Sequence, residues 1–201
     1  MQVVVLAGGE GQRLRPWTEK TPKPGLQLLG KPLISHVINF LPKEEISEVI
    51  VAAGYLVDIL EVILKQANIH NSLRVVNELE PLGTGGALRN LVESLDERFI
   101  CLNGDVIYSF DSTSLLKKAG DLKLGHGIVC LRSVEDPTRY GIAQLDSNNN
   151  INGFVEKPSR ATAPSSLANV GCYGLTRDAI LKLPEGVSSL EHDLFPLLAS
   201  Q

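Results

Sequence analysis

With 201 residues, 43% of them hydrophobic and 21% charged, the chain is long enough to bury one substantial core, and a single domain over residues 1–201 is the expectation. A formal charge of −4 excludes a generic nucleic-acid or acidic-membrane binder, which needs a basic excess to displace counterions. Three cysteines far apart with no CxxC spacing, and four scattered histidines, leave a zinc site unsupported; free thiols in a reducing compartment are expected.

The first element is a short apolar strand, Val3-Val4-Val5-Leu6, which is too short for a signal h-region or a membrane span, so a cytoplasmic protein is expected. It runs into Ala7-Gly8-Gly9-Glu10-Gly11-Gln12-Arg13-Leu14-Arg15-Pro16 and then Lys20-Thr21-Pro22-Lys23-Pro24. A strand-to-glycine junction exposes backbone N–H groups that no side chain shields, and such a concave row of donors suits a polyphosphate. Between Glu10 and Lys31 stand five basic residues against two acidic ones, a local excess of three that favours an anionic small molecule. Two better-known glycine loops do not fit. The dinucleotide fingerprint starting at Gly9 and Gly11 has Leu14 in its third glycine position, and no Gly-Lys-Ser/Thr triplet follows Gly8 or Gly9 as a Walker loop requires.

Downstream, Pro32 opens a helix with apolar positions Leu33, Ile34, Val37, Ile38 and Leu41, closed by Pro42. Glu48 to Ala53 reads as a strand, Leu56, Ile59, Leu60, Ile63 and Leu64 as a helical face, and Leu73 to Val76 as the next strand. Thr84 can cap a third helix with Leu88, Leu91, Val92 and Leu95 inward, and Phe99 to Leu102 forms a strand ending at Asn103-Gly104-Asp105. This alternation predicts an α/β fold: a Rossmann-like, doubly wound, mostly parallel sheet with helices on both faces. The second half departs from it. Ile128 to Val134, Tyr140 to Leu145 and Ile151 to Glu156 read as strands, the last two joined at Ser147-Asn148-Asn149-Asn150, which is a β-hairpin insertion. Ser159 to Ser166 reads as a mobile loop, Asn169 to Leu175 as a strand, and residues 178–183 and 191–200 as helices.

In a doubly wound sheet ligands gather beyond the carboxyl ends of the strands. Three motifs fall there: the Gly8 to Arg13 loop, the Leu82-Gly83-Thr84-Gly85-Gly86 turn, and Asp105. Each has a plain alternative. The first can be an ordinary glycine turn, the second a helix N-cap and the third an Asx-turn, while Glu156-Lys157-Pro158 is by itself only a charged strand end.

The first loop together with Thr21-Pro22-Lys23-Pro24, and after it Leu82 to Ala87, Leu102 to Asp105, Tyr140-Gly141-Ile142-Ala143, Glu156-Lys157-Pro158 and Ser189 to Pro196, resembles the signature of sugar-1-phosphate nucleotidylyltransferases, the nucleotide-sugar pyrophosphorylases. The similarity covers nearly the whole chain. It implies the nucleotide-diphospho-sugar transferase type of fold and a reaction between a nucleoside triphosphate and a sugar 1-phosphate. Leu6, Ala7, Gly8, Gly9, Gly11 and Gln12 would wrap the nucleotide, and Arg13 would hold the β- and γ-phosphates. Lys23, stiffened between two prolines, would meet the α-phosphate or the sugar phosphate. Leu82, Gly83, Thr84 and Gly85 would read the base, Asp105 would hold Mg²⁺, and Gly141, Glu156, Lys157, Asn169 and Gly171 would form the sugar-phosphate side. Members selective for thymine or uracil often carry a glutamine in the base-reading turn; none stands there, which tilts the reading toward guanine. The subgroup most similar in look is the mannose-1-phosphate and D-glycero-D-manno-heptose 1-phosphate guanylyltransferases, with a UTP- or dTTP-dependent glucose-1-phosphate enzyme as the alternative. Such families continue to a Trp-x-Asp-x-Gly-Thr segment whose aspartate completes the metal site. The sequence ends at Gln201 before it, so Asp193 or water is expected to complete the shell, unless the chain is cut short or is a non-catalytic nucleotide-sugar sensor. A homo-oligomer is compatible with all of this.

Overall fold

In the computed structural model, which describes residues 1–200, the apolar runs of the first half become neighbouring parallel strands. The strands are β1 (Gln2–Leu6), a separate two-residue ribbon of β2 (Gln27–Leu28) and β3 (Lys31–Pro32), then β4 (Glu48–Ala53), β5 (Leu73–Asn77), β6 (Arg98–Asn103), β7 (Gly127–Ser133), β8 (Gly141–Leu145), β9 (Ile151–Glu156) and β10 (Leu167–Thr176). The order β5-β4-β1-β6 is parallel throughout. β10 joins β6 antiparallel and also pairs with β7 and β8, and β8 and β9 form the expected hairpin. The result is a mixed, Rossmann-like α/β sheet whose parallel half carries the doubly wound pattern.

Helices α1 (Leu33–Ile38), α2 (Val57–Ala67), α3 (Gly83–Asn90), α4 (Ser112–Gly120), α5 (Arg177–Ile180) and α6 (Phe195–Ala199) cover both faces. Val3 and Val5 pack with Ile34, Val37, Leu60, Leu64 and Leu115 in one core, and Val4 packs with Leu88, Leu91, Ile180 and Phe195 in the other. Successive side chains of a strand point to opposite faces, so a strand covered on both is apolar along its covered length, here Val3 to Leu6. That is why β1 reads as an uninterrupted run.

Three local details differ from the sequence reading. The inward stripe of α2 is Val57, Leu60, Leu64 and Ala67, and Leu56 is a left-handed residue ahead of the helix; Ile59 is turned outward, and Ile63 reaches over Gly25. Helix α4 is additional: Asp111 caps it by accepting the Thr113 amide, and it buries only Leu115, Leu116 and Ala119 besides Ser112, too short an apolar pattern to stand out. Ser159 to Ser166 is tied down by hydroxyl bonds, with Ser159 paired to Thr162 and Ser165 donating to the Ala143 carbonyl.

The start of α3 is not capped by Thr84. Gly83 takes φ +74, so the helix begins one residue before Thr84, and the Ser188 carbonyl accepts the Gly85 and Gly86 amides at 2.9 and 3.1 Å. A main-chain group brought from far along the chain satisfies the helix's first donors, and the threonine is left for other partners. A Cβ on Gly83 would lie 2.5 Å from that carbonyl oxygen. Gly83→Ala therefore incurs the left-handed penalty and loosens two hydrogen bonds, together about 3 kcal/mol. Thermal unfolding is expected to register this as a loss of roughly 6–12 °C in Tm.

Candidate active site

The ends of β1, β5 and β6 open into a cavity of about 830 Å³. Leu6, Ala7, Gly8, Gly9, Gly11, Gln12 and Arg13 line one wall, with Lys23 and Pro24 beside them. Gly83, Thr84 and Pro81 line a second, and Asn103, Gly104 and Asp105 form the third. The strand register explains the convergence: Leu6 stands opposite both Ala52 and Asn103, so the loops that follow these strands emerge together.

The glycine loop is built to keep its donors free. Gly11 adopts φ +63 and turns the chain into a single 3₁₀ turn, Gln12–Leu14, while its carbonyl is tied down by the Thr18 hydroxyl at 3.0 Å. Among the described residues no hydrogen bond takes the Gly8, Gly9 or Gly11 amide, and Arg13 has no acidic partner. Such unpaired donors around a concave wall attract anions. Arg15, by contrast, pairs with Glu10 at 3.5 Å on the exposed outer side.

Across the cavity Lys23 Nζ donates to Asp105 Oδ2 at 2.6 Å, both side chains partly open to it. Two groups 82 residues apart in the chain are thus in direct contact. Asp105 is the sole acidic residue lining that wall, and among the described residues no group of three or more His, Cys, Asp or Glu side chains could hold a metal ion. Asp193 is not available: its carboxylate accepts the Ser189 amide at 2.7 Å and closes the π-type turn Leu190–Leu194, and it does not line the cavity.

Within the turn expected to read the base the residues divide. Gly83 and Thr84 face the cavity, whereas Leu82 and Gly85 lie behind it with their backbone groups engaged by Ser188, the Leu82 carbonyl accepting the Ser188 amide at 3.0 Å. Glu78 reaches the cavity instead, a residue that the sequence reading passed over. Its carboxylate lies where a Cβ on Gly8 would be 2.9 Å away, and burial without a cationic partner pushes its pKa up. The sequence signal was its place directly after the C-terminal end of β5, one residue nearer its strand than Asp105 is to β6. Asn103 was also missed as a site residue; its Oδ1 is buried and has no partner.

The residues expected on the sugar-phosphate side lie on or directly after β8, β9 and β10 of the antiparallel half. Gly171 has φ +71 and sits against the Asn103 side chain, which a Cβ would overlap. Asn169 accepts the Gly171 amide at 2.8 Å. Gly141 is paired with Glu156 across β8 and β9, and a Cβ there would lie 2.7 Å from Glu156 Oε2. Lys157, in a left-handed conformation with φ +46, bonds Glu156 at 3.0 Å but keeps two-thirds of its side chain exposed. A non-glycine residue held there signals a position fixed by its surroundings. None of Gly141, Glu156, Lys157, Asn169 and Gly171 lines the 830 Å³ cavity itself. Of the five, Gly171 abuts a cavity-lining residue, Asn103.

The cysteines are free, with Cys101 and Cys172 buried and Cys130 half-buried. No helix among the described residues is long and apolar enough to cross a membrane.

A family model described as nucleotidyl transferase matches residues 2–195. The chain is 33% identical over 210 residues to mannose-1-phosphate guanyltransferase beta-B of Xenopus laevis, an alignment that takes in 100% of this chain and 57% of that protein. It is 31% identical to the mannose-1-phosphate guanylyltransferase of Mycobacterium tuberculosis, over 98% of this chain and 55% of that one. The chain therefore spans little more than half the length of the curated relatives it matches. Among solved structures, HddC from Yersinia pseudotuberculosis complexed with GMP-PN superposes with a TM-score of 0.79 at 30% identity, covering 97% of this chain and 85% of that chain.

Proposed function

The chain belongs to the nucleotidyl transferase family, and from that premise we propose that it transfers a nucleoside monophosphate from a nucleoside triphosphate to a sugar 1-phosphate, releasing pyrophosphate. The observation that carries this reading is the Lys23–Asp105 contact at 2.6 Å, in the same cavity as the unpaired glycine amides and Arg13 and with Lys23 packed beside Gly11. An anion-binding group and a cation-binding group in contact, beside a row of free amide donors, suit the meeting of two phosphates.

A phosphate oxygen of the sugar 1-phosphate attacks the α-phosphorus. The bond from that phosphorus to the bridging oxygen breaks, and its electron pair leaves with pyrophosphate. The nucleophile is already anionic and needs no general base, so the protein's task is alignment and charge stabilisation. The Gly8, Gly9 and Gly11 amides with Arg13 hold the β- and γ-phosphates, and Lys23 steadies the α-phosphate against the incoming one. Glu156 accepts hydrogen bonds from sugar hydroxyls, Lys157 holds the sugar phosphate, and Asn169 and Gly171 complete that side.

A single open carboxylate suits Mg²⁺, which keeps several waters and takes its remaining oxygens from phosphates. Asp105 would hold it, with water in place of Asp193. When bound, the ion supplies positive charge between the two phosphates and lowers their repulsion.

Glu78 supports guanine as the base. A carboxylate is an acceptor only, and guanine's N1–H and N2–H₂ edge presents adjacent donors to it, whereas uracil and thymine present one. The matched relatives named as mannose-1-phosphate guanylyltransferases point the same way. Glu78→Gln is expected to raise the KM for GTP by about 10-fold or more through loss of a charge-assisted bond. Its stability effect has the opposite sign. Burial raises the Glu78 pKa above the ordinary value of 4.5, so its favourable contribution is present below that pH and lost as pH rises through the shifted value. The variant should melt higher than the parent at neutral pH, with the difference fading below pH 4.5.

The deciding experiment is pyrophosphate release with Mg²⁺ across the common nucleoside triphosphates and a panel of sugar 1-phosphates. Release that requires both substrates, strongest with GTP and mannose or heptose 1-phosphate, supports the proposal; nucleotide binding with no release under any pairing refutes it in favour of a sensor.

A further inference from the structure

Glu191 lies in the turn after the catalytic motifs and touches neither Lys23 nor Asp105, yet it joins the two sides of the site. Its Oε2 accepts the Thr84 hydroxyl at 2.7 Å and the Ser189 hydroxyl at 2.9 Å, and its Oε1 accepts the Tyr173 phenol at 3.4 Å. Thr84 in turn accepts the Leu190 amide at 2.9 Å. Beyond Tyr173 the chain of bonds continues. Asn169 Nδ2 donates to the Tyr173 oxygen at 2.8 Å, Asn169 Oδ1 accepts the Gly171 amide at 2.8 Å, and the Gly171 carbonyl accepts the Tyr108 hydroxyl at 2.6 Å. One end is Thr84 on the cavity wall; the other is the irregular stretch of β10 between Asn169 and Tyr173, where Gly171 presses on Asn103.

The direction of every bond follows from the carboxylate. All three of its side-chain neighbours are hydroxyls, and an ionised carboxylate can only accept. Tyr173 must therefore donate to Glu191, which leaves its oxygen to receive the Asn169 amide nitrogen. That orientation turns Asn169 Oδ1 toward the Gly171 amide. Tyr173 is fully buried, and burial together with the Glu191 charge raises its pKa well above the usual tyrosine value, so it remains a donor. Reversing one member of a buried network leaves a polar group unpaired further along.

We propose that Glu191 is a positioning residue that sets both walls of the site, fixing Thr84 on the nucleotide side and Asn169 with Gly171 on the sugar-phosphate side. The inference rests on the transfer reaction proposed above for the assignment of those sides. It makes Glu191 responsible for geometry at two substrates that it does not touch.

Glu191→Gln tests it with almost no change of shape, since the amide places a donor against hydroxyls that must donate. Using GTP and mannose 1-phosphate, the KM for each is expected to rise about 10-fold, short of the roughly 10²-fold that a 1 Å misplacement can cost. Tyr173→Phe cuts the chain midway, so the KM for mannose 1-phosphate alone should rise while that for GTP stays at the parent value. Hydrogen exchange at the Gly171 amide should lose protection in both variants. A Glu191→Gln protein that melts lower but keeps both parent KM values would show a merely structural role and overturn the proposal, as would an unchanged mannose 1-phosphate KM in Tyr173→Phe. If Glu191→Gln does not fold, Tyr173→Phe decides alone. Should the parent protein itself fail to transfer nucleotide, the function proposed above falls, and parent-like protection of the Gly171 amide in the variants would overturn the network separately.

Discussion

Asp105→Ala is expected to lower the rate of nucleotidyl transfer by about 10²–10³-fold or more, while the protein stays folded. Both halves of that result follow from where the residue stands. Asp105 comes directly after β6 and Gly104, and Gly104 is anchored by its amide to the Leu6 carbonyl at 2.9 Å, so the turn keeps its shape without the carboxylate. The side chain itself is almost half exposed and bonds only Lys23, so its removal creates no core cavity and leaves no buried donor stranded. What is lost is the one acidic group on the wall where the proposed reaction brings two phosphates together. Asp105→Asn, equal in size and without the charge, should behave like the alanine variant. Initial rates of pyrophosphate release beside a thermal melt check the pair, and a parent-like rate in either variant sinks the assignment.

Lys23→Met is expected to move two measurements in opposite directions. Turnover falls by about 10²–10³-fold, because a preorganised cation is missing where negative charge builds up. The affinity of the protein without nucleotide for a divalent cation rises, because the ammonium that sits 2.6 Å from Asp105 no longer competes for it. In the structure Lys23 and Asp105 neutralise each other; with substrates present, each has a phosphate or a cation to turn to. The pair therefore holds two opposite charges beside the cavity until substrates separate them. Titration with Mn²⁺ followed by electron paramagnetic resonance reads the second effect. Lys23→Arg should recover little of the rate, since a planar fork does not occupy the place of a compact ammonium. Equal Mn²⁺ affinity in parent and Lys23→Met proteins would count against this account.

Much of the site's outline was legible in the sequence because its parts are local. Gly8, Gly9 and Gly11 after an apolar strand, Lys23 between prolines, and Asp105 after a strand and a glycine are each set by a few neighbours. The places where that reading was incomplete are those where distant backbone intervenes. Thr84 has the composition of an N-cap, but the Ser188 carbonyl does the capping, and the threonine is spent on Glu191, 107 residues away. Leu82 and Gly85 belong to the same motif as Gly83 and Thr84, yet Ser188 occupies their main-chain groups. Glu78 carries no motif at all; only the packing of β5 beside β4, and the loop after β1, brings it to the cavity. Helix α2 shows the same thing on a small scale, since the left-handed Leu56 stands outside the helix and Ile59 is turned outward.

The sequence by itself determined the alternating parallel half, the hairpin of β8 and β9, and the glycine, lysine and aspartate motifs, because apolar period and the glycine and proline signals depend on residues within a turn or a strand of one another. The tertiary structure alone decided that Lys23 meets Asp105, that Ser188 closes the start of α3, that Glu78 faces the cavity, and that Glu191 ties Thr84 to Tyr173. Each of these is a contact whose partners are brought together by strand order and by the turn of β10, and burial in low dielectric then requires every polar group there to find a partner, whichever part of the chain supplies it.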